Sequence, residues 1–340
     1  MTSRGREDAA PEAPGDGTIE RSDVEWRRRL MVFGDSIRSD FDNPLATSWR
    51  AIMRALTRAG HEVVFIEPRR SESLTRLLRH RGSAPLRQFA QHYPDLQYRT
   101  LELPRGRELS IWLARELALV DAVVVLDNAS DEIRSLITAY DEPRLLRIEQ
   151  SVSGYIASGL PDPLDLGPAI DITDVHSRQS IRSDPSRLAV LAWDAEQSSL
   201  ATQVWHAAMT IVPNASRSSL GSMALDGWVR ITELDLGSTL REVDLALVVA
   251  TQHPTGPASS VRSLLPWSFG IPALTVASHP GEVSGQLPGP VVAVDDLVQP
   301  IEHLVGLPWP DLSRWSADRQ AAGLIAAINR SRDALRAERV

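Results

Sequence analysis

Short, mostly apolar runs recur along the chain, and most are closed by a polar or small residue. They are Leu30-Met-Val-Phe33, the Val-Val-Phe-Ile core of His61–Ile66, Ala122-Val-Val-Val-Leu126, Leu188-Ala-Val-Leu-Ala192, Leu245-Ala-Leu-Val-Val249 and Ala273-Leu-Thr-Val-Ala277. Runs this short, bounded by turn residues and rich in valine, read as strands buried on both faces, which is the habit of a parallel sheet. Helical patterns fall between them. Asn43-Pro44 offers a cap and first turn, Trp49, Ile52, Met53 and Leu56 follow at helical spacing, and Gly60 ends the pattern. Residues 30–66 therefore read strand, helix, strand, one βαβ unit of a parallel sheet.

The alternation continues through residues 71–93 (a helix or helix pair), 96–101 (strand), 108–119 (helix), 122–126 (strand), 131–140 (helix) and 145–148 (strand). Residues 150–168 read as loop, and Ile170-Asp-Ile-Thr173 as a last strand. After Ser183-Asp-Pro-Ser186 the pattern restarts at Leu188. There the reading is helix over 199–209, strand at Thr210-Ile-Val212 and strand at Trp228–Ile231. A short helix follows Gly237-Ser-Thr239, and strands lie at 245–249, 273–277 and 290–294. An Ala- and Arg-rich helix, Trp315–Arg336, closes the chain. The expected division is a disordered tail over 1–23, a Rossmann-like domain over 24–184, a second over 185–308, and a helix within 309–340 that returns to the first domain. The fold class is α/β, with two Rossmann-like domains facing across a cleft.

Composition narrows the chemistry. All 36 basic residues are arginine and there is no cysteine, so a Lys Schiff base, a P-loop lysine, a thiol nucleophile and a disulfide frame are excluded. The net charge of −8 gives no general pull toward nucleic acid. No apolar run approaches the ~18 residues of a membrane span, and no signal-type apolar core is seen, so a cytoplasmic protein is the expectation. No His/Asp/Glu cluster has metal-ligand spacing.

Ligands of parallel sheets bind beyond the carboxyl ends of the strands, which selects the loops to read. Asp35, Ser36 and Arg38 follow the first strand, with Asp40 behind them, and are candidates to hold hydroxyl groups. Gly34-Asp-Ser36 also admits a serine-hydrolase reading, in which Ser36 would need a His base and an orienting acid; His61 and His80 are nearby in sequence but carry no matching motif. Asp127-Asn128 ends the strand 122–126 on the same side. Ser259, Ser260 and Arg262 sit where a Gly/Pro loop becomes a helix, and free backbone N–H groups there, with a forked guanidinium, suit a diphosphate. His253 follows the strand 245–249 and could face the same cleft. The plainer readings are a serine cap, a solvated arginine and a structural histidine; Asp295-Asp296 reads as a helix cap.

Two of these segments carry a resemblance. Arg54-Ala-Leu56 followed by Gly60-His-Glu-Val63 resembles the first domain of GT-B-type glycosyltransferases of the family 1 and spore-maturation kind. Ser260-Val-Arg-Ser-Leu-Leu-Pro-Trp-Ser-Phe-Gly270-Ile-Pro272, with its following strand and Asp295-Asp296, resembles their second domain. The resemblance implies a nucleotide-sugar donor held by the second domain and a glycan or small-molecule acceptor in the first, with no obligatory metal and no cofactor. It also implies a Glu that binds the donor ribose, and the matching position is Leu265; a further Glu eight residues earlier matches Pro257. Leucine accepts no hydrogen bond. The alternative is therefore a catalytically inactive relative that binds a nucleotide or glycan, or serves as a partner subunit.

Overall fold

The computed structural model describes residues 27–41, 43–102, 107–139, 145–150, 155–158, 164–172, 182, 184–193, 198–220, 225–250, 257–283, 287, 289–297 and 309–337. The first sheet-forming region runs β1 (Arg29–Phe33), α1 (Pro44–Arg58), β2 (Glu62–Pro68), α2 (Glu72–Arg81), α3 (Ala84–His92), β3 (Tyr98–Leu101), α4 (Arg107–Leu117), β4 (Ala122–Leu126), α5 (Asp131–Ala139), β5 (Leu145–Gln150), β6 (Tyr155–Ser158) and β7 (Leu164–Leu166). The second runs β8 (Leu188–Ala192), α6 (Ser198–Ile211), β9 (Ser216–Leu220), β10 (Val229–Ile231), α7 (Glu233–Leu240), β11 (Leu245–Val249), α8 (Pro257–Ser268), β12 (Ala273–Ala277), α9 (Pro280–Val283) and β13 (Val291–Ala293), and α10 (Ala317–Ala337) closes the chain.

The two sheets are built alike. The first has the order β3-β2-β1-β4-β5-β6-β7 and the second β10-β9-β8-β11-β12-β13. The five strands β1–β5 and all six of the second sheet are parallel. Each sheet starts in the middle, runs to one edge, and returns to the other side of its first strand, the doubly wound plan of a Rossmann domain. The chain is α/β, two Rossmann-like domains facing across a cleft in the GT-B-like manner.

Both faces of each sheet are covered, which is why the central strands are apolar throughout. In the first domain, α1 and α10 cover one face through Leu45, Trp49, Ile52, Leu56, Leu324 and Ile328, while α4 and α5 cover the other through Leu113, Leu117, Ile133 and Ile137. Each such side chain contributes on the order of 1.5–3 kcal/mol relative to exposure. In the second domain α6 covers one face, and α7 and α8 the other. The Asn43 side chain accepts a hydrogen bond from the Leu45 N–H at 2.9 Å to cap α1, and Gly60, at φ 88°, ends it.

Four readings of the sequence are corrected. Thr210-Ile-Val212 is not a strand: α6 continues to Ile211, and the Thr210 hydroxyl bonds back to the Ala207 carbonyl at 2.7 Å. The strand lies at β9, Ser-Arg-Ser-Ser-Leu, whose small buried Ser218 and Ser219 gave no apolar signal. The helix near Gly237 begins earlier, at Glu233, because Thr232 and Asp235 form a capping box. Gly237 sits inside it, where a Cβ would lie 3.0 Å from the Phe269 ring. The segment 150–168 contains β6 and β7, antiparallel additions to the sheet edge. Ile170 forms a single bridge to Ser316 rather than a strand. Pro266 lies in the last turn of α8, where its carbonyl accepts the Phe269 and Ile271 N–H groups that end the helix.

Candidate functional site

In a doubly wound sheet the crevice opens where the strand order reverses. That point lies between β1 and β4 in the first domain and between β8 and β11 in the second.

At the first point the loop after β1 is gathered by one carboxylate. Glu67, at the end of β2 and 1% exposed, accepts the Ser36 hydroxyl at 2.8 Å, the Ile37 N–H at 3.1 Å, the Thr100 hydroxyl at 3.0 Å and the Arg38 guanidinium. The Arg38 guanidinium also lies 5.5 Å from the Tyr98 ring centre. Ser36 and Arg38 are thus committed to the scaffold. Ser36 additionally accepts the Ser39 hydroxyl at 2.7 Å, and its own proton goes to Glu67. Neither His61, which accepts the Arg28 N–H, nor His80, which lines a separate pocket, bonds to it, so the hydrolase constellation is not formed.

Asp35 differs. One of its oxygens accepts the Ser73 N–H at 3.2 Å, and the residue lines an open cavity of about 830 Å³ together with Asp40, Arg69, Arg70, Arg76 and Asn128. Asp40 is steadied there by the Asn128 amide at 3.2 Å.

The domains are joined by a buried ion pair. Arg50 is 1% exposed although it stands on α1; it donates to the Ile37 carbonyl at 2.6 Å, to the Asp40 carbonyl at 2.7 Å and to the Glu233 carboxylate. Glu233 opens α7 in the second domain and also accepts the Thr47 hydroxyl at 2.6 Å. One guanidinium therefore fixes the loop of one domain and the edge of the other. Sequence reading missed Arg50, Glu67 and Glu233. The available signal was an arginine on the apolar side of α1, beside Trp49 and Met53, and a carboxylate directly after the buried Ile66.

At the second point Trp193 follows β8 and is buried, and the Arg262 guanidinium lies 5.8 Å from its ring centre. Arg262 is one turn into α8 and is brought to the carboxyl end of β8. Ser259 and Ser260 lie in the opening turn of α8; their side chains, and the whole of His253, fall outside the described residues. Leu265 is buried, packs into the core of the second domain, and lines a cavity of about 390 Å³ between the domains with Phe269, Tyr93 and Glu233. Burial pushes the Tyr93 phenol above its ordinary value, and it stays protonated. Burial and the nearby Arg54 hold the His92 imidazole, on the same cavity, below its usual range. Trp267 packs edge-on to Trp309, ring centres 4.7 Å apart. Asp295-Asp296 opens a single 3-10 turn. Among the described residues no group of three or more His, Asp or Glu is placed to hold a metal, and no helix is long and apolar enough to cross a membrane.

Strand order and converging carboxyl ends define the class, a GT-B-like pair of Rossmann domains. Among solved structures the chain is similar to the glycosyltransferase SnogD from Streptomyces nogalater (12% identical, covering 89% of this chain and 95% of that one, TM-score 0.38). It is also similar to MurG from Acinetobacter baumannii (12%, 89% and 99%, TM-score 0.42) and to a glycosyltransferase from Rickettsia africae (10%, 91% and 97%, TM-score 0.42). No family model and no curated protein matches the chain. The fold assignment rests on the strand orders themselves.

Proposed function

We propose that the protein transfers a sugar from a nucleotide-sugar donor to a glycan or small-molecule acceptor, without a metal. The observation that carries this reading is the position of Arg262: a guanidinium beside Trp193, at the reversal point of the second sheet, on a helix that starts at the same end. In this scheme the donor diphosphate lies against Arg262 and the opening turn of α8, and the acceptor occupies the 830 Å³ cavity of the first domain. An acceptor hydroxyl oxygen attacks the anomeric carbon and gives up its proton to the Asp35 carboxylate, while the bond to the diphosphate breaks with its electron pair leaving on the diphosphate. Arg262 and the helix N–H groups offset that charge. Asp35 is the carboxylate placed to take a hydrogen bond from the acceptor hydroxyl, since Ser36 and Arg38 are held by Glu67.

The test is calorimetric titration with UDP, GDP and their sugar conjugates. Binding of one of them is expected, and Arg262→Ala should weaken it by roughly 1.5–3 kcal/mol, the worth of a hydrogen bond to a charged group. Failure of every nucleotide to bind would sink the donor site. Leu265 favours a second reading, a relative that binds donor but does not turn it over, because its side chain offers the ribose no acceptor. Binding without product across an acceptor panel would select that reading.

A further inference from the structure

The cavity of about 390 Å³ between the domains takes no part in the transfer scheme. Its size is that of a site for a small organic molecule. Ala51 of α1, Ile170, and Leu265 and Phe269 at the carboxyl end of α8 give it an apolar wall. Phe269 is 36% exposed, while Ala51, Ile170 and Leu265 are buried. The Phe269 ring is seated against Gly237, where a Cβ would stand 3.0 Å from it. A glycine inside α7 costs that helix about 1 kcal/mol, and here it gives room to an aromatic ring that stays open to the cavity. The charges on the wall are already matched. Arg54 lies 3.0 Å from Asp171 and 3.4 Å from Asp95, Asp171 also takes Arg58 at 2.9 Å, and Glu233 takes Arg50 and the Thr47 hydroxyl. An ionic ligand would lose its hydration here and gain no counter-charge. Two polar groups are left over. Among the described residues the Tyr93 hydroxyl and the His92 ring make no hydrogen bond, although both line the cavity, their rings edge to face with centres 4.7 Å apart. A tyrosine hydroxyl enclosed by protein ordinarily has a partner. Both groups are uncharged near neutral pH, so they offer a donor and an acceptor to a neutral oxygen.

From this we infer that the cavity binds a neutral phenol, its ring against Phe269 and Leu265 and its oxygen at Tyr93. Leu265 then has a role of its own. It is a wall of this site, and a carboxylate in its place would share an apolar space with Glu233. The first domain supplies Ala51 and Tyr93 and the second Leu265 and Phe269, so one ligand touches both. The inference uses neither Arg262 nor Asp35 and stands apart from the transfer reading.

The experiment is calorimetry and thermal denaturation of the full chain with 2-naphthol, beside naphthalene-2-sulfonate, which carries a fixed charge on the same ring, and naphthalene, which has no hydroxyl. One 2-naphthol per chain is expected to bind and to raise the unfolding midpoint, with the sulfonate roughly tenfold weaker or more. Tyr93→Phe should weaken 2-naphthol roughly three- to tenfold, as for the loss of one hydrogen bond, and leave naphthalene unchanged. Ala51→Phe, which fills the cavity, should abolish binding of both. Leu78→Ala, at an exposed apolar residue of α2, should change nothing. Circular dichroism checks that each variant folds, and if Ala51→Phe does not, the conservative Tyr93→Phe decides. Absence of 2-naphthol binding, or binding that Tyr93→Phe or a folded Ala51→Phe leaves unaltered, overturns the assignment. Displacement of 2-naphthol by UDP or GDP also overturns it, because the cavity would then belong to the nucleotide site. Failure of every nucleotide to bind would remove the donor reading and leave this result intact.

Discussion

The two domains follow one strand order and finish it with different chemistry. At the carboxyl end of the first sheet a buried carboxylate, Glu67, holds the loop through four donors. At the same end of the second sheet, Trp193 is held by apolar packing, with Arg262 laid across it. A hydrogen-bonded loop is fixed in direction and exposes chosen polar atoms, here Asp35. A packed end is fixed in shape and tolerates change of residue type more readily. The same topology can therefore present one rigid polar face and one adaptable apolar face to a ligand between them.

The comparison can be broken at its seam first. Arg50→Ala leaves Glu233 buried without its cation and strips donors from two carbonyls; a loss of about 3–5 kcal/mol in urea unfolding is expected. A cost under about 1 kcal/mol, the level of exposed pairs, would mean that the seam admits water. Next, Glu67→Ala should cost about 2–3 kcal/mol, since its donors lose a charged partner and Arg38 remains partly solvated. A neutral result there would remove the contrast between the two sheet ends.

The smallest effect concerns pH. Burial alone would raise the Asp244 carboxyl. Hydrogen bonds from the Ser186 hydroxyl and N–H, and the Arg182 ion pair, outweigh it together and hold the group below its ordinary 3.8. The folded value being the lower one, its contribution is complete above the unfolded value and is lost as pH falls through the folded one. Asp244→Asn should flatten the acid side of the stability profile below about pH 4 and leave neutral pH dependence unchanged; an unchanged acid limb would show that another carboxylate governs it.

Much of the fold was legible in the sequence because double-sided burial writes itself as uninterrupted apolar residues. Leu188–Ala192, Leu245–Val249 and Ala273–Ala277 are strands at the expected bounds. Strand β9 was not legible, since a serine strand is held by its neighbours' backbone and its polar residues carry no period. The sheet plan also directed attention to the loops at the carboxyl ends of the strands, where Asp35 lines a cavity and Arg262 lies beside Trp193. What the sequence could not show was pairing at long range. Arg50 and Glu233 are 183 positions apart, and each has an ordinary local reading, as a helix-surface arginine and a first-turn acid. Ser36 and Arg38 look like ordinary loop polar groups in the sequence, and it is Glu67, at the end of the next strand, that accepts from both.

The last helix has a consequence for the order in which the molecule is made. Ala317, Ala321, Leu324, Ile325 and Ile328 of α10 complete the core around Trp49 and Leu56, and Arg58 pairs with Asp318. These residues leave the ribosome after every strand of the second sheet. Domains fold as units during synthesis, usually from the amino end. Here the first domain must wait with one side of its core uncovered while the second, encoded later, already has all its strands. The half begun first is the half finished last, and α1, with Trp49 on its unshielded side, is the surface a chaperone would meet in the interval.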